Sequence, residues 1–410
     1  FKQKTAYEIM PSLVGSEMCI RDSGLVAILQ GIPAGLTLEM ARHVDPDLKR
    51  RQGGYGRGRR MQIESDRAEI ISGVRLGETI GSPLSMLIWN KDWENWKVAM
   101  SPDKPDPEGN PKALRSLYLP RPGHADLVGL LKYDRRDTRD ILERASARET
   151  AARVACGAVC KRLLEIFGVT IGSHVTSIGS IEADIPNVLP EKLNESVDGS
   201  ALRSLDTDAT ERMKKAIDDA KENGDTLGGV FEIVATGIPA GLGSYVTYDS
   251  KLDGRLAGAV MSIQAIKGVE IGAGFSGSFK PGSEVHDPIV ADEKATNAGG
   301  IGRESNRAGG LEGGVTTGSP IVVKAAMKPI STLRKRLPSI DMRDGSVADA
   351  AVERSDVCAV PAAAIVGEAM VALVLADAFL EKFGGDSIAE ITRNHNSYLQ
   401  HLEKRGYSER

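Results

Sequence analysis

The sequence predicts an α+β fold, a β–α–β sandwich in which two antiparallel sheets flank a helical layer, with an internal pseudo-two-fold duplication. Three internal echoes carry that expectation. Val26–Leu36 (VAILQGIPAGL) returns as Phe231–Leu242 (FEIVATGIPAGL), and Gly77–Ile88 (GETIGSPLSMLI) returns as Gly314–Val323 (GVTTGSPIVV). Glu143–Gly168 and Glu353–Gly384 both open on Glu-Arg, run through a stretch of small residues and close on Phe-Gly. Three matches in the same order along the chain argue for duplication rather than coincidence.

The elements follow in order. Leu25–Gln30 reads as a strand and Gly31–Gly35 as its turn. Each half then supplies antiparallel strands joined by tight glycine and proline turns, followed by one helical stretch rich in alanine and valine. Both stretches are apolar on most faces, which suits burial between sheets. Between the halves, Asp206–Asn223 has Thr207 or Asp208 as a candidate N-cap, dense charge and a stop at Gly224, the marks of a surface helix without chemistry. Residues 24–410 read as a single domain. Phe1–Ser23 shows neither period nor cap, lacks the continuous apolar core of a secretory signal, and resembles a translated sequencing-adapter artefact.

Composition narrows the function. With 410 residues, 41% hydrophobic and 26% charged, the chain is an ordinary globular protein, and a net charge of −4 supplies no global drive toward nucleic acid or anionic membrane. Any anion site must therefore be built from local clusters. Four cysteines (Cys19, Cys156, Cys160, Cys358) are too few for a disulfide scaffold and contain no C-x-x-C pair, so a reducing cytoplasm fits and no metal site is expected. Cys156 and Cys160, one helical turn apart among small apolar residues, read as packing. Apolar stretches such as Met370–Leu375 are interrupted by Glu368 and Asp377, so no transmembrane helix is expected. Glycine is abundant at 45 residues and clusters in Gly53–Gly58, Gly272–Gly282 and Gly299–Gly318, which suits loops whose amides face a ligand.

Lys49–Met61 (KRRQGGYGRGRRM) sets Arg50, Arg51, Arg57, Arg59 and Arg60 among glycines. Guanidinium groups pair with phosphate or carboxylate in bidentate fashion, and glycines let backbone amides approach the same anion. The loop is therefore read as a grip on a small, multiply charged anion; a plain solvated loop or an RNA-binding segment would share its composition. His124 stands in a rigid Pro-Gly turn (LPRPGHADLV) beside Arg121 and Asp126, where an imidazole can serve as an acid near neutral pH or hold the turn together. Gly272–Gly277 (GAGFSG) fits G-x-G-x-x-G, but it runs into Pro281 instead of opening a long helix, which excludes a dinucleotide fingerprint.

The arginine loop resembles chorismate synthase when taken with RPGHAD (Arg121–Asp126), ERASARET (Glu143–Thr150), QAIKGVEIG (Gln264–Gly272), AGGLEGG (Ala308–Gly314), MKPIST (Met327–Thr332) and RSDVCAVPA (Arg354–Ala362). The resemblance spans Gly24 to about Ser397. It implies a homotetrameric β–α–β sandwich that converts 5-enolpyruvylshikimate 3-phosphate to chorismate by 1,4-anti elimination of phosphate, with reduced FMN and no net redox change. By the same resemblance, Arg51 and Arg57 meet NADPH or substrate anions. Arg144, Ala145, Ser146, Gln264, Ala265, Gly313, Lys328, Pro329, Ile330, Ser331, Thr332 and Arg354 line the flavin pocket, His124 protonates the reduced flavin and Asp356 assists the proton relay. The family's first strand ends in Gly-Glu-Ser-His-Gly, whereas Ile20–Gly24 reads IRDSG and places Ser23 at the histidine position. Serine cannot replace imidazole as an acid near pH 7, so the polypeptide is expected to fold and bind FMN but turn over slowly. An impaired copy and an NAD(P)H-dependent flavin reductase are the alternative readings.

Overall fold

The computed structural model describes residues 23–58, 65–104, 116–352 and 356–405, and of residues 143 and 144 it describes the backbone alone. The expected Arg59, Arg60 and Arg354, the side chain of Arg144 and the segment 1–22 lie outside the described residues.

The chain is a mixed helix and sheet protein. In the first half, β1 (Gly24–Leu29), β2 (Glu69–Ser72) and β5 (Leu84–Trp89) form a three-stranded antiparallel sheet in the order β1-β5-β2, with β3 (Val74–Arg75) and β4 (Glu78–Thr79) as a hairpin beside it. In the second half, β6 (Thr170–Ile178), β7 (Ile181–Glu182), β8 (Gly229–Thr236), β9 (Ile266–Ile271) and β12 (Ile321–Met327) form a five-stranded antiparallel sheet, ordered β7-β6-β8-β12-β9. Its companion hairpin is β10 (Leu311–Glu312) with β11 (Val315–Thr316). The G-x-G-x-x-G match follows β9 in this antiparallel sheet and opens only a four-residue helix, Gly274–Gly277.

The longer helices are α1 (Asp45–Gln52), α2 (Asp126–Tyr133), α3 (Arg139–Arg144), α4 (Thr150–Glu165), α5 (Thr207–Glu222), α6 (Leu252–Met261), α7 (Val360–Phe383) and α8 (Ile388–Arg405). Apolar side chains leave α4 and α7 on nearly all sides, so neither could stay in water. α7 packs on β6, β8 and α4, while α4 packs on β1. Small residues permit the approach: a Cβ added at Gly157 of α4 would stand 2.4 Å from the Ala369 Cα, and one at Gly367 would meet Phe231 and Ile233 of the sheet at 2.8 Å. Cys156 and Cys160 are fully buried there as free thiols, as expected, and burial raises the pKa of both.

Two expectations are corrected. α7 runs 24 residues without a break and is long and apolar enough to span a membrane, which corrects only the expected interruption at Glu368 and Asp377, since most of the helix is buried in the protein core. Glu368 does not interrupt it because local ion pairs satisfy that carboxylate. α5 is capped one residue earlier than expected, by the Asp206 side chain accepting from the Ala209 amide at 2.9 Å. Its stripe of Ala209, Met213 and Ile217 is buried, so the charged helix has an apolar inner face.

The repeated segments make repeated bonds. The hydroxyl of Thr79 donates to the Pro33 carbonyl at 2.6 Å and accepts from the Leu36 amide at 3.0 Å. That of Thr316 donates to the Pro239 carbonyl at 2.7 Å and accepts from the Leu242 amide at 2.8 Å. Strand register agrees as well, with Leu29 opposite Leu84 in one sheet and Ala235 opposite Ile321 in the other.

Candidate active site

Arg50 and Arg51 belong to α1 and not to a loop; the loop proper begins at Gly53. Successive helical residues point about 100° apart, and the two arginines part company accordingly. Arg50 turns inward and meets Glu368 of α7, at 3.0 Å from Nη1 and 2.9 Å from Nη2, and Asp47 at 2.7 Å. It is thus engaged within the protein, against the expectation that it faces an anion. Glu368 is fully buried and also receives Lys161, Arg203 and the Ser173 hydroxyl. Burial pushes its carboxyl up, but the charges of Lys161, Arg50 and Arg203 outweigh that and hold it well below the usual carboxylate range.

Arg51 faces the other way. It is 4% exposed, donates from Nη2 to Asp66 at 2.8 Å and from Nη1 to the Thr150 hydroxyl at 3.3 Å, and its buried Nε has no hydrogen-bond partner among the described residues. Arg148 donates to the same Asp66 oxygen at 2.5 Å. Arg57 pairs with Asp356 at 3.3 Å, and Asp356 also accepts from the Gly58 amide at 2.6 Å. Gly56 lets the loop lie flat on the start of α7: its φ is +87°, and its missing Cβ would sit 3.1 Å from that of Cys358.

The His124 turn is tied by ion pairs. Arg121 grips Asp126 through Nε at 2.8 Å and Nη2 at 3.1 Å, and His124 Nδ1 lies 2.5 Å from Asp126 Oδ1. Burial pushes the Asp126 carboxyl up, yet hydrogen bonds from His124 and Arg121 hold it far below its usual range. An ionised Asp126 can only accept, so Nδ1 carries the proton and Nε2 is the atom left to exchange one. The approach of Arg121 Nη2 to the same Nδ1, at 3.0 Å, is a close contact of two donors, each satisfied by Asp126.

Tertiary folding joins this turn to MKPIST. Lys328 Nζ donates to the Gly123 carbonyl at 2.6 Å, and Arg121 Nη1 donates to the Thr332 hydroxyl at 2.7 Å. Burial, and then repulsion from Lys267, lower the Lys328 pKa. The Lys328 amide donates to the Ala265 carbonyl at 2.9 Å, and Ala265 holds a left-handed φ of +67°. Such a conformation in a non-glycine residue is held only where its surroundings impose it. Gln264, next in line, donates to buried Glu149, and its own Oε1 is buried without a partner among the described residues. Ser146 caps the turn Ala147–Glu149 through the Arg148 amide at 3.0 Å. Ile330 is tied back by Thr226, whose hydroxyl donates to its carbonyl at 2.7 Å.

The structure therefore brings Arg51, Arg57, His124, Ala145, Ser146, Gln264, Ala265, Lys328 to Thr332 and Asp356 into one connected region. Gly313 is the exception. It forms the tip of the β10–β11 hairpin with φ +62°, ahead of β12, whereas Lys328 follows the far end of that seven-residue strand. At about 3.3 Å per residue the strand alone separates them by roughly 20 Å. Asp66, Arg148 and Glu149 were missed as site residues; the last two lay in ERASARET in plain view, while nothing local marks Asp66. Among the described residues no group of histidine, cysteine, aspartate and glutamate side chains is arranged to hold a metal ion.

Known proteins share this chain's pattern over most of its length. The family model for chorismate synthase matches residues 21–380. The chorismate synthase of Geobacter sulfurreducens is 55% identical over 381 residues, covering 92% of this chain and 96% of that one. That of Aquifex aeolicus is 52% identical over 389 residues, covering 93% and 95%. A crystal structure of a chorismate synthase superposes with a TM-score of 0.75 at 43% identity, over 95% of this chain and 97% of the other.

Proposed function

The chain belongs to the chorismate synthase family, and from that premise we propose that the region joining Arg51, His124, Gln264 and Lys328 binds reduced FMN beside the substrate. The enzyme is a carbon–oxygen lyase of aromatic amino-acid biosynthesis that acts on 5-enolpyruvylshikimate 3-phosphate with a reduced flavin. The observation that carries the placement is the closure of the His124 turn onto Lys328 and Thr332, more than two hundred positions away.

The residues present suit a flavin. Gln264 keeps a buried oxygen for a donor, Ala265 presents strained backbone, and a Cβ at Gly313 would meet only the Tyr245 Cβ, at 3.8 Å, leaving backbone open to a ligand. Ala145, Ser146, Gln264, Ala265, Lys328, Pro329, Ile330, Ser331 and Thr332 would hold it, with Arg144 and Arg354 from outside the described side chains. When bound there, reduced flavin would supply electron density to the allylic system and a base for the C6 proton. The protein's own part is to bind, orient and move protons. Arg51 and Arg57 bind the substrate's phosphate and carboxylates, or NADPH where that serves as reductant, and stabilise charge on the departing phosphate. His124, its Nδ1 proton fixed by Asp126, exchanges a proton at Nε2. Asp356, between Arg57 and the Gly58 amide, stands ready as the relay carboxylate.

The finer architecture belongs to the same reading: a β–α–β sandwich built by duplication, working in the cytoplasm as a homotetramer. The matching Thr79 and Thr316 bonds support the duplication. Gly313 supports the assembly, because a flavin touching both Gly313 and Lys328 needs a second chain.

Stopped-time assays with 5-enolpyruvylshikimate 3-phosphate test the proposal. Phosphate release should need only catalytic reductant, and Ser23→His should raise the rate by about 10²–10⁴-fold, the usual contribution of one general acid. Stoichiometric nicotinamide oxidation without phosphate release would overturn it in favour of a flavin reductase.

A further inference from the structure

Glu149 closes the turn that leads into α4, and its side chain is 4% exposed. Arg153, one helical turn on, grips both of its oxygens: Nε donates to Oε2 at 2.9 Å, and Nη2 lies 2.9 Å from Oε1. The same guanidinium reaches the end of α6, where Nη1 donates to the Ser262 hydroxyl at 2.8 Å. Paired side-on with a guanidinium, the Glu149 carboxylate can only accept.

Gln264 stands 115 positions further along the chain, between α6 and β9, and its Nε2 donates to Glu149 Oε1 at 2.5 Å. A glutamine amide has a donating end and an accepting end, and the surrounding hydrogen bonds decide which way it lies. With the amide turned over, oxygen would face oxygen at that distance. Oε1 is therefore directed away from Glu149, and it is buried without a partner among the described residues. The backbone beside it is fixed as well, since Ala265 holds a left-handed φ of +67° and its carbonyl accepts from the Lys328 amide at 2.9 Å. A buried acceptor left open is costly, and a donor on a ligand relieves that cost.

We propose that Glu149 is a positioning residue of the flavin site: through its bond to Nε2 it locks the Gln264 amide so that Oε1 is presented to a ring N–H of the flavin. This rests on the reading of Gln264 as a flavin ligand, and Glu149 acts only through it. The oxidised flavin ring carries an N–H at N3, and reduction adds another at N5. A ring carbonyl in the same place would meet a second oxygen and be repelled, so the locked amide also selects the orientation of the ring.

A double-mutant cycle of Glu149→Gln and Gln264→Ala tests this, read as the Kd of the full chain for oxidised and for anaerobically reduced FMN. Glu149→Gln frees the Gln264 amide to turn and should raise the Kd about 5–10-fold, the order of one hydrogen bond. A loss in both forms identifies N3–H as the donor, and a loss confined to reduced FMN identifies N5–H. In a chain already carrying Gln264→Ala, the same substitution should change the Kd by less than about twofold, because nothing is left to orient. A merely structural Glu149 would cost the same in both backgrounds, and that additive result overturns the proposal, as does an unchanged Kd in folded Glu149→Gln. Should Glu149→Gln fail to fold, Glu149→Asp, which keeps the charge but withdraws it by one methylene, carries the same cycle. If Gln264→Ala alone leaves FMN binding unaltered, the reading of Gln264 as a flavin ligand fails, and the role of Glu149 with it.

Discussion

Arg50 and Arg51 leave the same helix on different sides and meet opposite electrostatic fates. Around Arg50, the cations Arg50, Lys161 and Arg203 are set against Glu368, Asp47 and Asp198, with Ser173 and Asn194 adding hydrogen bonds. Around Arg51, Asp66 bridges two guanidinium groups, and among the described residues the buried Arg51 Nε is left over. The first cluster sets three cations against three carboxylates and holds α1 to α4 and α7, although among the described residues the buried Arg203 Nε is left over there as well. The second keeps a buried Arg51 donor without a partner among the described residues, in the region proposed to bind the substrate. Density of arginine in a sequence marks both equally; the elements each side of the helix packs against separate them.

The largest effect should come from emptying the closed cluster. Glu368→Ala leaves Arg50, Lys161 and Arg203 buried without their shared carboxylate, and urea unfolding should show a loss of about 3–5 kcal/mol. A loss near zero would mean the cluster is not the anchor described. Next, Arg51→Ala should weaken substrate binding by about 2 kcal/mol, measured by titration, whereas Arg50→Ala should lower the melting temperature and leave the substrate Kd of the folded protein nearly unchanged. Equal losses of affinity would erase the distinction between the two arginines.

Acid should act on both clusters with a defined sign. Glu368 and Asp66 have folded pKa values below their unfolded ones, so each contributes stability that is present above about pH 4 and is lost as pH falls toward the depressed folded value. The parent chain should therefore lose stability below about pH 4, and Glu368→Gln should flatten that part of the curve, followed by thermal melts across pH. The smallest effect concerns Cys358, packed against Gly56 of the loop that carries Arg57, whose thiol burial pushes up to about 11. Iodoacetamide at pH 8 should leave it unmodified in the folded chain; labelling that substrate suppresses would reveal opening on the Arg57 side.

Much of this was legible from residue order. The GIPAGL and GSP echoes predicted strands, and the structure pairs those strands within each half in matching register. RPGHAD placed His124 beside its own partners because Arg121, His124 and Asp126 sit within one tight turn. Asp66 was invisible because its two partners come from α1 and from Ala147–Glu149, and no local pattern joins them. The 24-residue span of α7 was misjudged because a buried glutamate reads as an interruption until its cations are seen.

Family, chemistry and the strand and helix content follow from the sequence alone, since motifs, periodicity and turn residues are local properties of a chain. Which of two adjacent arginines is available to a ligand, which carboxylate holds a pair of them, and that Lys328 reaches Gly123 were decided only by the tertiary structure. Those outcomes depend on burial and on the sum of nearby charges, and both arise from segments that are neighbours in space and far apart in the chain.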